Sequence, residues 1–298
     1  MKTAIILLKR NVKLFFKDKG MFFTSLITPA ILLVLYATFL ANVYRDSFTA
    51  NLPQGVTLPE SVIDGLVGGQ LVSSLLAVSC ITVAFCSNFL MVQDKVNGTI
   101  KDLRISPVRS STLSLTYYLA TILSTLLVCF VAMAICLVYV AIIGWYLSFA
   151  DVLFLMLDVI LLVLFGTALS SIINYFLSSQ GQISAVGSIV SSCYGFICGA
   201  YMPISSFGSG LQKAISLLPG TYGTALVRNH SLRGVFAEME SLHIPAETIT
   251  SMKDAIDCNI YFFGHAVNVP TMYLILTITV VVLVGVYVFI NTLKNKDK

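Results

Sequence analysis

The chain has 298 residues, of which 57% are hydrophobic and only 11% charged, with a mean hydropathy of +0.91. A soluble domain carries about a quarter of its residues charged, so this composition excludes one and predicts a polytopic membrane protein. The net charge of +4 gains meaning by position: Lys2, Lys9, Arg10, Lys13, Lys17 and Lys19, then Lys95, Lys101, Arg104 and Arg109, then Lys294, Lys296 and Lys298 are thirteen of the 18 basic residues. Basic residues concentrate in cytoplasmic segments, so these three groups predict both termini in the cytoplasm and an even number of spans, and nucleic acid is not needed to explain the charge.

Residues 2 to 18 set Ile5, Leu8, Val12, Phe15 and Phe16 at helical spacing among lysines, which predicts an interfacial helix over residues 1–20. These basic interruptions, with no small-residue cleavage site after them, do not read as a removable leader. A first span is expected from Met21 to Ala41, with Pro29 inside it. Such a proline is tolerated where neighbouring helices satisfy the freed carbonyl. A polar outer segment from Asn42 to Asp64 follows, short enough to be a loop or one small extracellular helix. The second span, Leu66 to Val92, carries Gln70, Ser73, Ser74, Ala77, Cys80, Ala84, Ser87 and Asn88 on one face. That face either packs tightly on another helix or lines a polar passage.

A third span, Leu113 to Ile143, ends at Gly144, Trp145 and Tyr146, an interfacial anchor. The fourth, Ala150 to Phe176, holds Asp151 at its rim and Asp158 roughly 10 Å deeper on nearly the same face. A carboxylate at that depth is costly unless protonated or paired. With no lysine or arginine expected nearby, Asp158 reads either as a neutral carboxyl bonded to a neighbouring helix or as a substrate or proton site. The fifth span, Ile183 to Ala200, repeats Gly187, Ser191, Gly195 and Gly199 four apart. This spacing predicts close helix packing, within one subunit or across a dimer seam.

The proline-bounded run from Met202 to Gly220 is too short to span and too apolar to float, and sets Phe207, Leu211, Ile215 and Leu218 on one face. It fits a re-entrant or interfacial outer helix. Tyr222 to His265 is polar and lacks metal-ligand spacing, so it reads as a solvated cap that completes an outer region over residues 203–265. A sixth span, Val269 to Ile290, closes the topology. Six of the seven cysteines lie in apolar runs and Cys258 in a polar loop, a distribution that argues against a disulfide scaffold or a metal centre.

Between the second and third spans lies an abruptly charged stretch, QDKVNGTIKDLRISPVR, residues 93–109. Asn97 and Gly98 break the preceding helix, Thr99 is positioned to cap a new one, and Pro107 ends it. Ile100, Leu103 and Ile105 offer an apolar contact, while Lys101, Asp102 and Arg104 stay available for charged partners. The run Gly98, Thr99, Leu103, Ser106, Pro107, Val108, Arg109 resembles the coupling helix that follows the second span in permease subunits of bacterial ATP-binding cassette exporters of the ABC-2 type. That family includes drug, peptide and polysaccharide exporters. The opening KRNVKLFFKDK with Pro29, and the proline-bounded outer segment, resemble the same family in the same order.

The resemblance implies that residues 93–109 rest on a separate ATPase subunit, with Asp94 and Lys95 the nearest matches to an acidic and basic pair that precedes the Gly-Thr step in family members. Asp94, Lys95, Gly98, Thr99, Lys101, Leu103, Arg104, Ser106 and Pro107 are thus the expected coupling residues. It also implies that the second span borders the transport pathway, which makes Gln70, Ser73, Ser74, Ala77, Asn88 and Asp158 candidate pathway residues. The expected protein is an all-α integral membrane protein of six spans, forming one transmembrane domain over residues 1–298, in the bacterial plasma membrane. It would pair with a second permease copy as a homodimer and bind no cofactor itself, ATP and Mg belonging to the partner. No GxxxxGK[ST] loop, HExxH or serine nucleophile elbow occurs. A gradient-driven transporter or channel centred on Asp158, or a membrane-embedded enzyme or sensor using the outer region, are the alternatives.

Overall fold

The helix α4 (Glu60–Val96) is the axis of the protein. In a computed structural model, which describes residues 2–50, 52, 57–105 and 108–294, its 37 residues rise about 55 Å, well beyond a hydrocarbon core of about 30 Å. It is enclosed on all sides, and almost every side chain from Val62 to Val92 is buried. Around it pack α2 (Lys19–Leu35), α6 (Ser110–Ile143), α7 (Phe149–Phe176), α8 (Gln180–Ile197) and α10 (Pro219–Ser241). The remaining helices are α1 (Lys2–Lys17), α3 (Ala41–Ala50), α5 (Thr99–Ile105), α9 (Ser209–Ser216), α11 (Ala246–Ala255) and α12 (Val269–Lys294). A small antiparallel hairpin, β1 (Ile260–Phe262) with β2 (His265–Val267), precedes α12.

Five stretches among the described residues, Lys19–Thr49, Glu60–Val96, Ser111–Ile143, Phe149–Phe176 and Val269–Asn291, are long and apolar enough to cross a membrane. The protein is an all-α membrane protein apart from that hairpin. The segment expected as a fifth span is α8, whose 18 residues rise about 27 Å, and whose glycines and serines dilute its hydropathy.

Two stretches differ from the expected layout. The first span does not stop near Ala41: α2 passes through a π-helical turn, Tyr36–Leu40, into α3. Tyr44 and Phe48, four residues apart, bury themselves there, and Arg45 pairs with Asp64 at the start of α4. Pro53 lies outside the described residues. The stretch from Tyr222 onward, expected to be solvated, opens instead as α10, which is buried from Gly220 to Arg228 and again at His230 to Leu232. Gly223 meets Leu162, about 20 Å along α7 from its first residue, whereas Arg233 meets Asp151 in the first turn of α7. α10 therefore climbs from the middle of the bundle to its end. In the preceding segment, α9 buries Ile215 while Leu211 and Leu218 remain exposed, so α10 is the limb that penetrates the bundle.

Candidate coupling surface

The junction of α4 and α5 is a sharp bend with a local cause. Asn97 ends α4, its amide bonding the Gln93 carbonyl at 2.8 Å, and Gly98 adopts φ +81°, a region side chains other than glycine avoid. Nothing lies within 4 Å of where a Cβ would stand on Gly98, so backbone conformation alone demands the glycine. The Gly98 carbonyl takes the first bonds of α5, from the Lys101 amide at 2.8 Å and the Asp102 amide at 3.4 Å. Thr99 is consequently the first residue of α5 and not its cap. Ile100 and Leu103 turn inward against the core, while Lys101 and Asp102 are exposed and Ile105 is 85% exposed. Ser106 and Pro107 lie outside the described residues, as does the side chain of Arg104.

Asp94 and Lys95 are engaged within the chain. Asp94 is buried, and its carboxylate accepts from Arg10 Nη1 at 2.8 Å, Arg10 Nη2 at 3.3 Å and the Tyr117 hydroxyl at 2.5 Å. Arg10 also donates to Asn11 Oδ1 at 2.8 Å. The hydrogen bond to Asp94 lifts the Arg10 guanidinium above its ordinary pKa, so Arg10 stays cationic. One cluster thus ties α1, α4 and α6 together directly above α5. Lys95 donates to the carbonyls of Leu177 at 2.6 Å and Tyr175 at 3.2 Å, where a cation suits the unsatisfied carbonyls that end a helix. Residue spacing hid the Arg10 and Tyr117 partners, because Arg10 read as a topology charge and Tyr117 as an ordinary span residue.

The polar face of α4 is internal to the chain. Gln70 donates to the Tyr44 hydroxyl at 3.4 Å, and the Tyr36 hydroxyl donates to Ser74 at 3.3 Å, so these two positions hold α2 and α3. Ser73 bonds the Gln70 carbonyl, Ala77 is fully buried, and Asn88 donates to Ser170 and Ser171 of α7 at 3.1 and 2.8 Å. On α8, Gly187 faces the Phe89 ring of α4, while Gly195 lies under the Tyr201 ring, whose hydroxyl donates to the Ser191 carbonyl at 3.3 Å. Gly199, at φ +73°, makes the turn that folds Tyr201 back. Ser184, Ser188 and Ser192 stay exposed beside a cleft of about 620 Å³ between α2, α4 and α8, lined in part by Thr24, Phe89 and Gln93.

Asp158 has partners that the sequence order concealed. Its carboxylate meets His230 Nδ1 at 2.6 Å and accepts from the Tyr273 hydroxyl at 2.5 Å, joining α7, α10 and α12. Two residues earlier on α10, Arg228 is 1% exposed, donates to the Gly199 carbonyl at 2.8 Å and lies 3.5 Å from Asp257. It is thus a structural charge, not an outer surface one. Burial lifts the Asp257 carboxyl above its ordinary pKa, and Arg228 offsets part of this. Burial also pushes the Cys258 thiol up to about 12, which leaves it unreactive. Replacing Asp158 with alanine strands His230 and Tyr273 in the interior, at a cost of about 3 kcal/mol. Tyr273→Phe, which removes one hydrogen bond, should cost about 1 kcal/mol. Denaturation midpoints in detergent check this order, and an Asp158→Ala protein as stable as Tyr273→Phe would contradict the arrangement.

A family model described as ABC-2 type transporter matches residues 3–230. The chain belongs to that family. The match runs from α1 through the buried half of α10. The ABC-2 chain is therefore a transport subunit rather than a catalytic one, and its family implies an ATP-binding partner and a membrane. It matches no individual curated protein.

Proposed function

We propose that this ABC-2 permease is the membrane subunit of an ATP-driven exporter in a bacterial plasma membrane. It would pair with a second copy and seat α5 on a separate ATPase that carries ATP and Mg. The observation that carries this reading is the form of α5: a short helix fixed to the end of the central helix by Gly98, its inner face anchored and its outer face presenting Lys101, Asp102 and Ile105. Force on α5 reaches α4 through the two-residue junction Asn97–Gly98 and the inward-packed Ile100 and Leu103, and α4 touches most of the spans. Closure of the ATPases would thereby move the bundle as a rigid body.

In this reading α8 is a sixth span and both termini share the side of α5. The exposed serines of α8 and the neighbouring cleft suit a pathway or seam between two copies, whereas the Gln70 to Asn88 stripe works inside each copy. A cleft with hydroxyls on one wall and Phe89 on another suits an amphipathic substrate such as a drug, a peptide or a lipid-linked molecule. For a gradient-driven transporter the obvious site is Asp158, but that group is closed between His230 and Tyr273.

The test is to solubilise the protein from its native membrane, capture it by a C-terminal tag, and assay the eluate for a stoichiometric ATPase. Gly98→Val forces a branched side chain into left-handed backbone without touching a neighbour. It should leave the permease folded and cut ATP-coupled transport at least tenfold. A clean oligomer without ATPase, under conditions that preserve a known ABC complex, would overturn the proposal.

A further inference from the structure

The end of the bundle opposite α5 holds a cationic pocket that none of the coupling machinery uses. Ser114, near the start of α6, bonds Asn291, near the end of α12, at 3.0 Å. The first residues of α7 and α12 therefore lie together at the far end. There a pocket of about 280 Å³ is lined by Asn229, His230, Arg233, Phe236, Lys253 and Val269. Arg233 is half exposed and reaches Asp151 through Nε at 2.6 Å, with its guanidinium carbon 5.7 Å from the centre of the Phe154 ring. A guanidinium is a fork of five N–H donors, so the two terminal nitrogens remain for an incoming anion.

Lys253 holds its ammonium 4.9 Å from the centre of the Phe236 ring and forms no ion pair among the described residues. Asp151 balances Arg233, Asp158 faces His230, and Asp254 accepts from Asn259 and Tyr261. The charged side chains that line the pocket, Arg233 and Lys253, are both basic, and Asp151 balances one of them.

Directly along the two spans that start here, the surface is apolar and uncovered. Phe149, Leu153 and Leu157 of α7 and Leu274 and Ile278 of α12 are all exposed. A cationic pocket at the level where two membrane helices begin, with bare hydrocarbon-facing surface running from it, is complementary to one kind of molecule. We propose that it holds the phosphate of an anionic phospholipid, with Arg233 and Lys253 on the headgroup and the acyl chains lying along α7 and α12.

Each basic residue near a membrane surface contributes about 1 kcal/mol toward anionic lipid, which is about fivefold in affinity. The detergent-solubilised full chain is titrated with phosphatidylglycerol, phosphatidylcholine or inorganic phosphate, and bound lipid is counted by native mass spectrometry. Phosphatidylglycerol should be retained over phosphatidylcholine. Lys253→Gln should weaken that retention about fivefold, and adding Arg233→Gln should weaken it roughly 25-fold. Lys13→Gln, at the other end of the bundle, should change nothing at this site. Because Arg233 also holds Asp151, Lys253→Gln alone carries the test if the double variant does not fold. Equal retention of the two lipids, or unchanged retention in Lys253→Gln, would overturn the proposal. Displacement of phosphatidylglycerol by inorganic phosphate would make this a site for a soluble anion, and would overturn it as well.

Discussion

Asp94→Ala should destabilise the protein by about 3 kcal/mol, the low end of the cost of breaking a buried ion pair by removing one partner, because Arg10 keeps some access to solvent. The buried carboxylate satisfies both terminal nitrogens of the partly exposed Arg10 and the Tyr117 hydroxyl. Its loss strands a cation and a hydroxyl at once and frees α1 from α4. Arg10→Ala should cost a similar amount, because it leaves the carboxylate buried. The double variant should be less damaged than the two single losses combined, since it abandons no charge. Denaturation midpoints in detergent for the four proteins form a double-mutant cycle. A coupling near zero would mean that the three helices are not held by this cluster.

Gly234→Ala should be more damaging, with little folded protein recovered. A Cβ there would overlap the Tyr146 carbonyl oxygen, and backbone cannot give way as a flexible side chain can. Overpacking typically costs 1–3 kcal/mol even where side chains adjust, so about 4 kcal/mol or more is expected against fixed backbone. Gly285→Ala is the matched control: it also sits in a long helix, but nothing lies within 4 Å of its would-be Cβ. Alanine is the better helix former by about 1 kcal/mol, so that change should be neutral or mildly stabilising. Yields of monodisperse protein compare the two. Equal yields would contradict the close approach of α10 to the α6–α7 turn.

Membrane class, helical fold and the break at Gly98 were readable because each rests on local chemistry: hydrocarbon needs apolar runs, and left-handed backbone needs glycine. What depended on distant pairing was hidden. On α1 the apolar pattern grouped Ile5, Leu8, Val12, Phe15 and Phe16 as one interfacial face, of which Ile5 and Phe16 are exposed and Phe15 is buried. The face packed on α6 is Leu7, Asn11 and Phe15, and a polar residue in its middle disguised it. The polarity of α10 misled in the same way. Arg228 and His230 read as solvated charges until Asp257 and Asp158, from distant segments, were seen opposite them. The spacing on α4 grouped Gln70 to Asn88 as one stripe, and only the folded chain shows Tyr36, Tyr44, Ser170 and Ser171 meeting its members. The end of the first span was placed too early because Asn42, Arg45 and Asp46 look like loop residues, although Tyr44 and Phe48 between them bury a helical face.

Whether α5 is the surface on which an ATPase rests can be tested at one position. Ile105 is 85% exposed at the end of α5, so a photoreactive amino acid in its place disturbs no internal contact. Irradiated in native membranes, it should cross-link to an ATP-hydrolysing subunit, while the same group in place of the exposed Leu211 on α9 should not. A cross-link from position 211 but none from 105 would put the ATPase away from α5 and contradict the account.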